Sequence, residues 1–146
     1  MIRELGPEET ALVHEAMQAL RPHVGDAAAF SEHVNRLERP EGYRLVASFA
    51  DGDAQAAAVA GFRITHHLAW GLALYCDDLS TRPEHRNQGH AGRLLDWLVA
   101  EARQAGCDEL HLDSGVGPDR TAAHRLYFNK GMRISAHHFV MKLAGG

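Results

Sequence analysis

Cysteine is nearly missing from this chain: Cys76 and Cys107 are its only two, and they lie far apart. Two distant thiols make neither a metal-binding pair nor a disulfide framework, which fits a reducing compartment. Long apolar runs are missing as well, so no segment reads as a membrane span, although hydrophobic residues make up 45% of the chain. The opening MIRELGPEET carries acids where a secretion signal needs an apolar stretch, and the expectation is a cytoplasmic protein without membrane association. Positive charge is not in excess either. A formal net charge of -4 argues against general nucleic-acid binding and mildly favours a cationic substrate.

What is present suits one domain spanning residues 1–146. A chain of this size closes around a single core and buries roughly 68–70% of its unfolded surface. Met1 to Leu5 reads as a short first strand. Pro7, Glu8 and Glu9 then mark a helix start, Leu12, Val13, Ala16, Met17 and Leu20 recur on one face, and Pro22 ends the run. A second helix is expected from Asp26 to Leu37, with Phe30, Val34 and Leu37 turned inward. Tyr43, Leu45, Ala47 and Phe49 alternate with Arg44, Val46 and Ser48 as a strand does. Asp51-Gly52-Asp53 turns that strand, and its return runs from about Gln55 to His67.

Leu72 to Cys76 is apolar on both faces, which predicts a central strand covered on two sides. It delivers Asp77 and Asp78 at its end, where two carboxylates need solvent, a partner or a site. Ala91 to Gln104 is a Leu-striped helix stopped by Gly106, and Cys107 to Asp113 returns as a strand. This strand-helix-strand unit should close as a right-handed parallel crossover. Asp119 or Thr121 caps a last helix that Gly131 ends, and Arg133 to Leu143 reads as strand.

Between the central strand and the Leu-striped helix lies Leu79 to Leu95, LSTRPEHRNQGHAGRLL. A strand end, a Pro turn, two glycines and the start of a helix follow one another in it, which is the layout of a phosphate cradle. Backbone N–H groups at a helix N-terminus have no intrahelical partner, and with the helix dipole they favour an anion. Gly89, Ala91 and Gly92 keep bulky side chains out of its way. A P-loop is excluded because Gly92 is followed by Arg93 and Leu94 rather than by Lys and Ser or Thr. The Rossmann fingerprint is excluded because Arg86 to Ala91 reads RNQGHA, without three glycines. The spacing that does fit is Arg-x-x-Gly-x-Ala, at Arg86, Gly89 and Ala91.

In that setting the stretch resembles the acetyl-CoA motif of the GNAT superfamily of N-acetyltransferases. Downstream, AHRLYFNKGM, Ala123 to Met132, resembles the family's second signature. The resemblance implies an α/β fold in one domain: a mixed central β-sheet of six to seven strands flanked by about four helices, with a splayed parallel strand pair forming the acetyl-CoA cleft. It also implies acetyl transfer from acetyl-CoA to a primary amine of a small molecule or peptide, by direct attack in a ternary complex. Leu79, Ser80 and Thr81 would pair with the pantetheine arm, with the Leu79 amide facing the thioester oxygen as an oxyanion donor. The pyrophosphate would sit on the amides of Asn87, Gln88, Gly89, His90, Ala91 and Gly92, with Arg86 or Arg93 adding charge-assisted contacts.

Tyr127 is the candidate general acid, since a phenol titrating near 10 stays protonated at neutral pH and can protonate a thiolate. Asp78 is the preferred base, with Asp77, Glu84 and His124 as alternatives. Where the family often has Asn seven residues before the Tyr, this chain has Arg120. Arg120 either replaces the usual contact to the cofactor or abandons it. Eleven histidines raise the question of a metal. His66-His67 and His137-His138 are adjacent on strands and point to opposite faces, so no metal is expected. The family also suggests a homodimer, and leaves open a non-catalytic CoA-binding sensor or, more remotely, a nucleotide-binding protein. The loop Arg21 to Gly25 is expected to cover the acceptor side of the cleft.

Overall fold

The period-two stretches assemble into a sheet in the computed structural model, which describes residues 1–145. The chain divides into two compact units, Met1–Leu112 and the residues from Asp113 onward. In the first, Ile2–Leu5 (β1), Arg44–Ser48 (β2), Ala58–His67 (β3), Gly71–Thr81 (β4) and Glu109–Leu112 (β5) lie side by side in sequence order. The first four are antiparallel to their neighbours, and β4 and β5 are parallel. The α-helices are His14–Leu20 (α1), Ala27–His33 (α2), His90–Gln104 (α3) and, in the second unit, Thr121–Asn129 (α4). The mixed α/β architecture is the expected one, with α3 as the crossover between the parallel strands.

Burial on both faces explains why β2 has no exposed side. Leu45 and Ala47 join Ala16, Met17, Phe30 and Val34 in one apolar cluster, under α1 and α2. Val46 and Ser48 alternate to the other face, where Ser48 meets α3. From α3, Leu94, Leu95, Leu98 and Ala102 are buried. Each large side chain so buried contributes about 1.5–3 kcal/mol, which is what holds the crossover to the sheet.

Three expectations need correction. The sheet has five strands among the described residues, because Arg133 to Leu143 is not a strand. Its Ile134, Phe139, Val140, Met141 and Leu143 are exposed, and β propensity without a ladder partner does not make a strand. The first helix begins as a 3-10 turn, Pro7–Val13, before α1. The second stops being α-helical at His33 and passes into a π turn, Val34–Glu38. The central strand β4 does run to Thr81, as the strand end at Leu79 to Thr81 implied, and it carries a bulge.

The bulge positions the site. Gly61 of β3 pairs with Asp78 while Phe62 pairs with Cys76, so Asp77 is an extra residue on β4. A bulge bends the strand, increases its twist and re-aims side chains. The parallel ladder with β5 runs from Ala73 to Cys76 and stops where β5 ends, at Leu112. Asp77 to Thr81 continue beyond it, with Asp78 to Thr81 paired to β3 on the other side.

Candidate active site

Both carboxylates that the central strand delivers are found at the bulge, and each has been given partners from distant elements. Asp78 Oδ1 accepts a hydrogen bond from Arg21 Nε at 2.9 Å, and Oδ2 accepts from the Tyr43 hydroxyl at 2.6 Å. Arg21 is the residue that closes α1, so the loop expected to cover the acceptor side does reach β4. Its Nη2 also donates to the Asp77 carbonyl at 3.2 Å. Asp77 Oδ2 accepts from Arg63 Nε at 3.1 Å, and Arg63 in turn grips Glu38. Burial pushes the Asp77 carboxyl above its ordinary value, against the opposing pull of Arg63. Burial, then the nearby Asp78 charge, pushes the Tyr43 hydroxyl well above its own, so it remains a donor.

Sequence reasoning missed Tyr43, Arg63 and Glu38 as parts of this cluster and took Arg21 only as part of a loop. One signal was available. Gly61 interrupts an apolar strand, and an isolated strand glycine marks a close approach. A Cβ there would lie 1.8 Å from the Tyr43 hydroxyl oxygen.

The other base candidates are placed less favourably. Glu84 is exposed and paired with Arg82 at 2.7 Å. A hydrogen bond from the backbone, and then Arg82, hold its carboxyl below the ordinary value, which opposes proton uptake. His124 Nε2 lies 2.8 Å from the Gly115 carbonyl, which only accepts, so that nitrogen carries the proton.

The cradle is built at the start of α3. Pro83–His85 forms a 3-10 turn, Asn87 takes a left-handed φ of 63°, and Gly89 takes one of 84° as the N-cap. Gly89 offers no side chain to cap the helix, which leaves the first amides of α3 available to an external acceptor. The first intrahelical bond there is from Arg93 N to Gly89 O.

Arg86, Asn87, Gln88 and Gly89 are exposed, whereas His90 is buried beneath them. Its Nδ1 accepts from Ser48 Oγ at 2.7 Å and from Arg93 Nη2 at 3.3 Å. Burial and the Arg93 charge hold the imidazole below its usual pKa, so it is neutral. His90 therefore offers the cradle its backbone rather than its ring. Arg93 does not point away, as a charge on the outer helix face would. It folds back, donating from Nη1 to the Gln88 carbonyl at 3.0 Å, which holds the cation at the helix start.

Thus Asp78, Leu79, Ser80, Thr81 and the cradle from Arg86 to Arg93 share the first unit. Tyr127 on α4, and Arg120 immediately before it, belong to the second. Among the described residues there is no group of three or more His, Cys, Asp or Glu able to hold a metal. The two thiols are poor nucleophiles. Burial, then the charges of Asp78 and Asp77, push Cys76 up to about 12, and burial raises Cys107 as well.

Known proteins resemble this chain in sequence and in fold. The model of the Acetyltransferase (GNAT) family matches residues 10–132. An uncharacterized N-acetyltransferase of Bacillus subtilis is 31% identical over 133 residues, 90% of either chain. The aminoalkylphosphonate N-acetyltransferase of Salmonella typhimurium is 28% identical over 144 residues, 97% of this chain and 90% of its own. Among solved structures, an acetyltransferase of Trypanosoma brucei superposes with a TM-score of 0.81, covering 98% of this chain and 99% of that one. At 17% identity, that match speaks for the fold.

Proposed function

Since the chain belongs to the GNAT acetyltransferase family, we propose that it moves the acetyl group of acetyl-CoA onto a primary amine of a small molecule or peptide. One observation carries the reading: the edge of β4 that β5 leaves open leads, through a single turn, to the uncapped start of α3. An extended pantetheine arm fits such an edge as a neighbouring strand would, with its pyrophosphate on the helix amides.

The amine nitrogen attacks the thioester carbonyl, whose oxygen takes up negative charge opposite the Leu79 amide. The carbon–sulfur bond then breaks, and Tyr127 protonates the departing thiolate. The proton of the acceptor ammonium goes to the Asp77–Asp78 pair, directly or through water. Asp78 already accepts from Arg21 and Tyr43, so it serves chiefly as a fixed anion. Asp77, with its carboxyl raised by burial, is the better proton acceptor. Direct transfer is favoured over a cysteine-bound intermediate, because thiols held above their ordinary pKa supply little thiolate.

Thiol release with a panel of amines, alongside calorimetric binding of acetyl-CoA, tests the reading. Turnover with at least one amine is expected, and Tyr127→Phe should lower kcat about a hundredfold or more while leaving acetyl-CoA binding intact. An unchanged kcat across pH would remove Tyr127 from the mechanism. Tight acetyl-CoA binding with no thiol from any amine would mean a sensor rather than an enzyme.

A further inference from the structure

The arginine that the loop after α1 sends to β4 uses only part of its hydrogen-bonding capacity there. A guanidinium carries five N–H donors in a planar fork. Arg21 commits its side edge, Nε to Asp78 Oδ1 at 2.9 Å and Nη2 to the Asp77 carbonyl at 3.2 Å. Its end-on edge, one N–H each from Nη1 and Nη2, takes no part in those bonds. The Arg21 side chain is 43% exposed against 15% for Asp78, so the arginine is the more solvent-accessible partner of the pair. Two parallel N–H groups are what a carboxylate or phosphonate takes up bidentately. Because Asp78 and the Asp77 carbonyl fix the fork beforehand, less side-chain freedom is lost when an anion arrives.

An acid of opposite use stands next to it. Asp77 gives Oδ2 to Arg63, and its other oxygen, Oδ1, takes no part in that bond. Arg63 is itself shared with Glu38, which His33 also contacts at 2.8 Å. The acceptor end of β4 therefore presents a pre-set cationic edge beside a carboxylate. That pair complements a molecule carrying an amine and an anion.

We propose, building on the acetyltransferase reading, that Arg21 determines acceptor choice: the acceptor is a primary amine that also bears an oxyanion, seated on the end-on edge of Arg21 with its amine toward Asp77. A plain alkylamine makes only half of these contacts. Carboxylate and phosphonate share the chemistry that the edge reads, and they differ in charge and in the number of acceptor oxygens.

The test uses the full chain with propylamine, β-alanine and the phosphonate analogue of β-alanine, measured for wild type, Arg21→Lys and Arg21→Gln. Wild type should favour the oxyanion-bearing amines by about tenfold or more in kcat/KM, the size expected of one charge-assisted bidentate contact. Whichever of the two is better used identifies the anion. Arg21→Gln should erase the preference, raising KM for those two acceptors by about tenfold more than for propylamine. Arg21→Lys, which keeps the charge without the fork, should fall between. Calorimetric binding of acetyl-CoA to each variant reports that the fold and cradle are intact.

Equal use of propylamine by wild type would overturn the inference, as would an equal loss for all three acceptors in Arg21→Gln. The latter is what a merely structural Arg21–Asp78 pair predicts. Thiol release from propylamine alone would leave the acetyltransferase reading standing and remove only this inference. No thiol from any amine would remove both.

Discussion

Gly61 shows how one missing side chain shapes the site. With a Cβ only 1.8 Å from the Tyr43 hydroxyl oxygen, any other residue must push that ring off Asp78. Gly61→Ala is therefore expected to destabilise the protein by about 1–3 kcal/mol, through overpacking and a buried hydroxyl left without its acceptor. It should also raise KM for the acceptor while sparing acetyl-CoA affinity. Urea unfolding and steady-state kinetics check both, and a variant as stable and as active as wild type would contradict the account. At this scale the sequence is legible for local chemistry only. Asp77 and Asp78 stand out because they leave an apolar run, and the cradle stands out because its residues are contiguous. The partners of Asp78 do not, since Arg21 and Tyr43 are 57 and 35 positions away and nothing in their own neighbourhoods names a carboxylate.

Among elements, the strands and α3 follow from periodicity, whereas the bulge in β4 and the π turn after α2 do not. Both depend on register and packing between segments, which a hydrophobic pattern does not encode. The tail from Arg133 fails for the same reason, because its alternation describes a strand that has to find a ladder elsewhere. One cross-element device is open to titration. Arg44 on β2 donates from Nε and Nη2 to Glu4 on β1, both at 2.8 Å, and from Nη2 to Glu101 on α3 at 2.7 Å. The hydrogen bond from Arg44 is the main reason the Glu4 carboxyl lies below its ordinary pKa. A lowered native pKa means stability that is fully present above the unfolded value of about 4.3 and lost as pH falls through the native one. Glu4→Gln should then unfold at lower urea than wild type at neutral pH, by a modest margin because the pair is partly exposed. The difference should close under acid, and a gap that persists or widens below that range would show that Arg44 does not act through charge.

For the whole molecule, the parallel pairing of β4 with β5 was readable because a strand-helix-strand unit favours it. The strand count was not, since it depended on the tail. The net charge of -4 makes the cradle's local chemistry more telling, because an acidic chain that holds a polyanionic cofactor must do so with amides and a few placed cations. Exposed Arg86, Arg93 folded back on Gln88, and an α3 start that no side chain caps are the parts proposed for that task. The most direct measurement is a crystal structure of the chain soaked with coenzyme A. The pyrophosphate is expected within hydrogen-bonding distance of the amides between Asn87 and Gly92, with the pantetheine paired along Leu79 to Thr81. Coenzyme A bound elsewhere, or a cradle that remains empty at saturating ligand, would contradict the account.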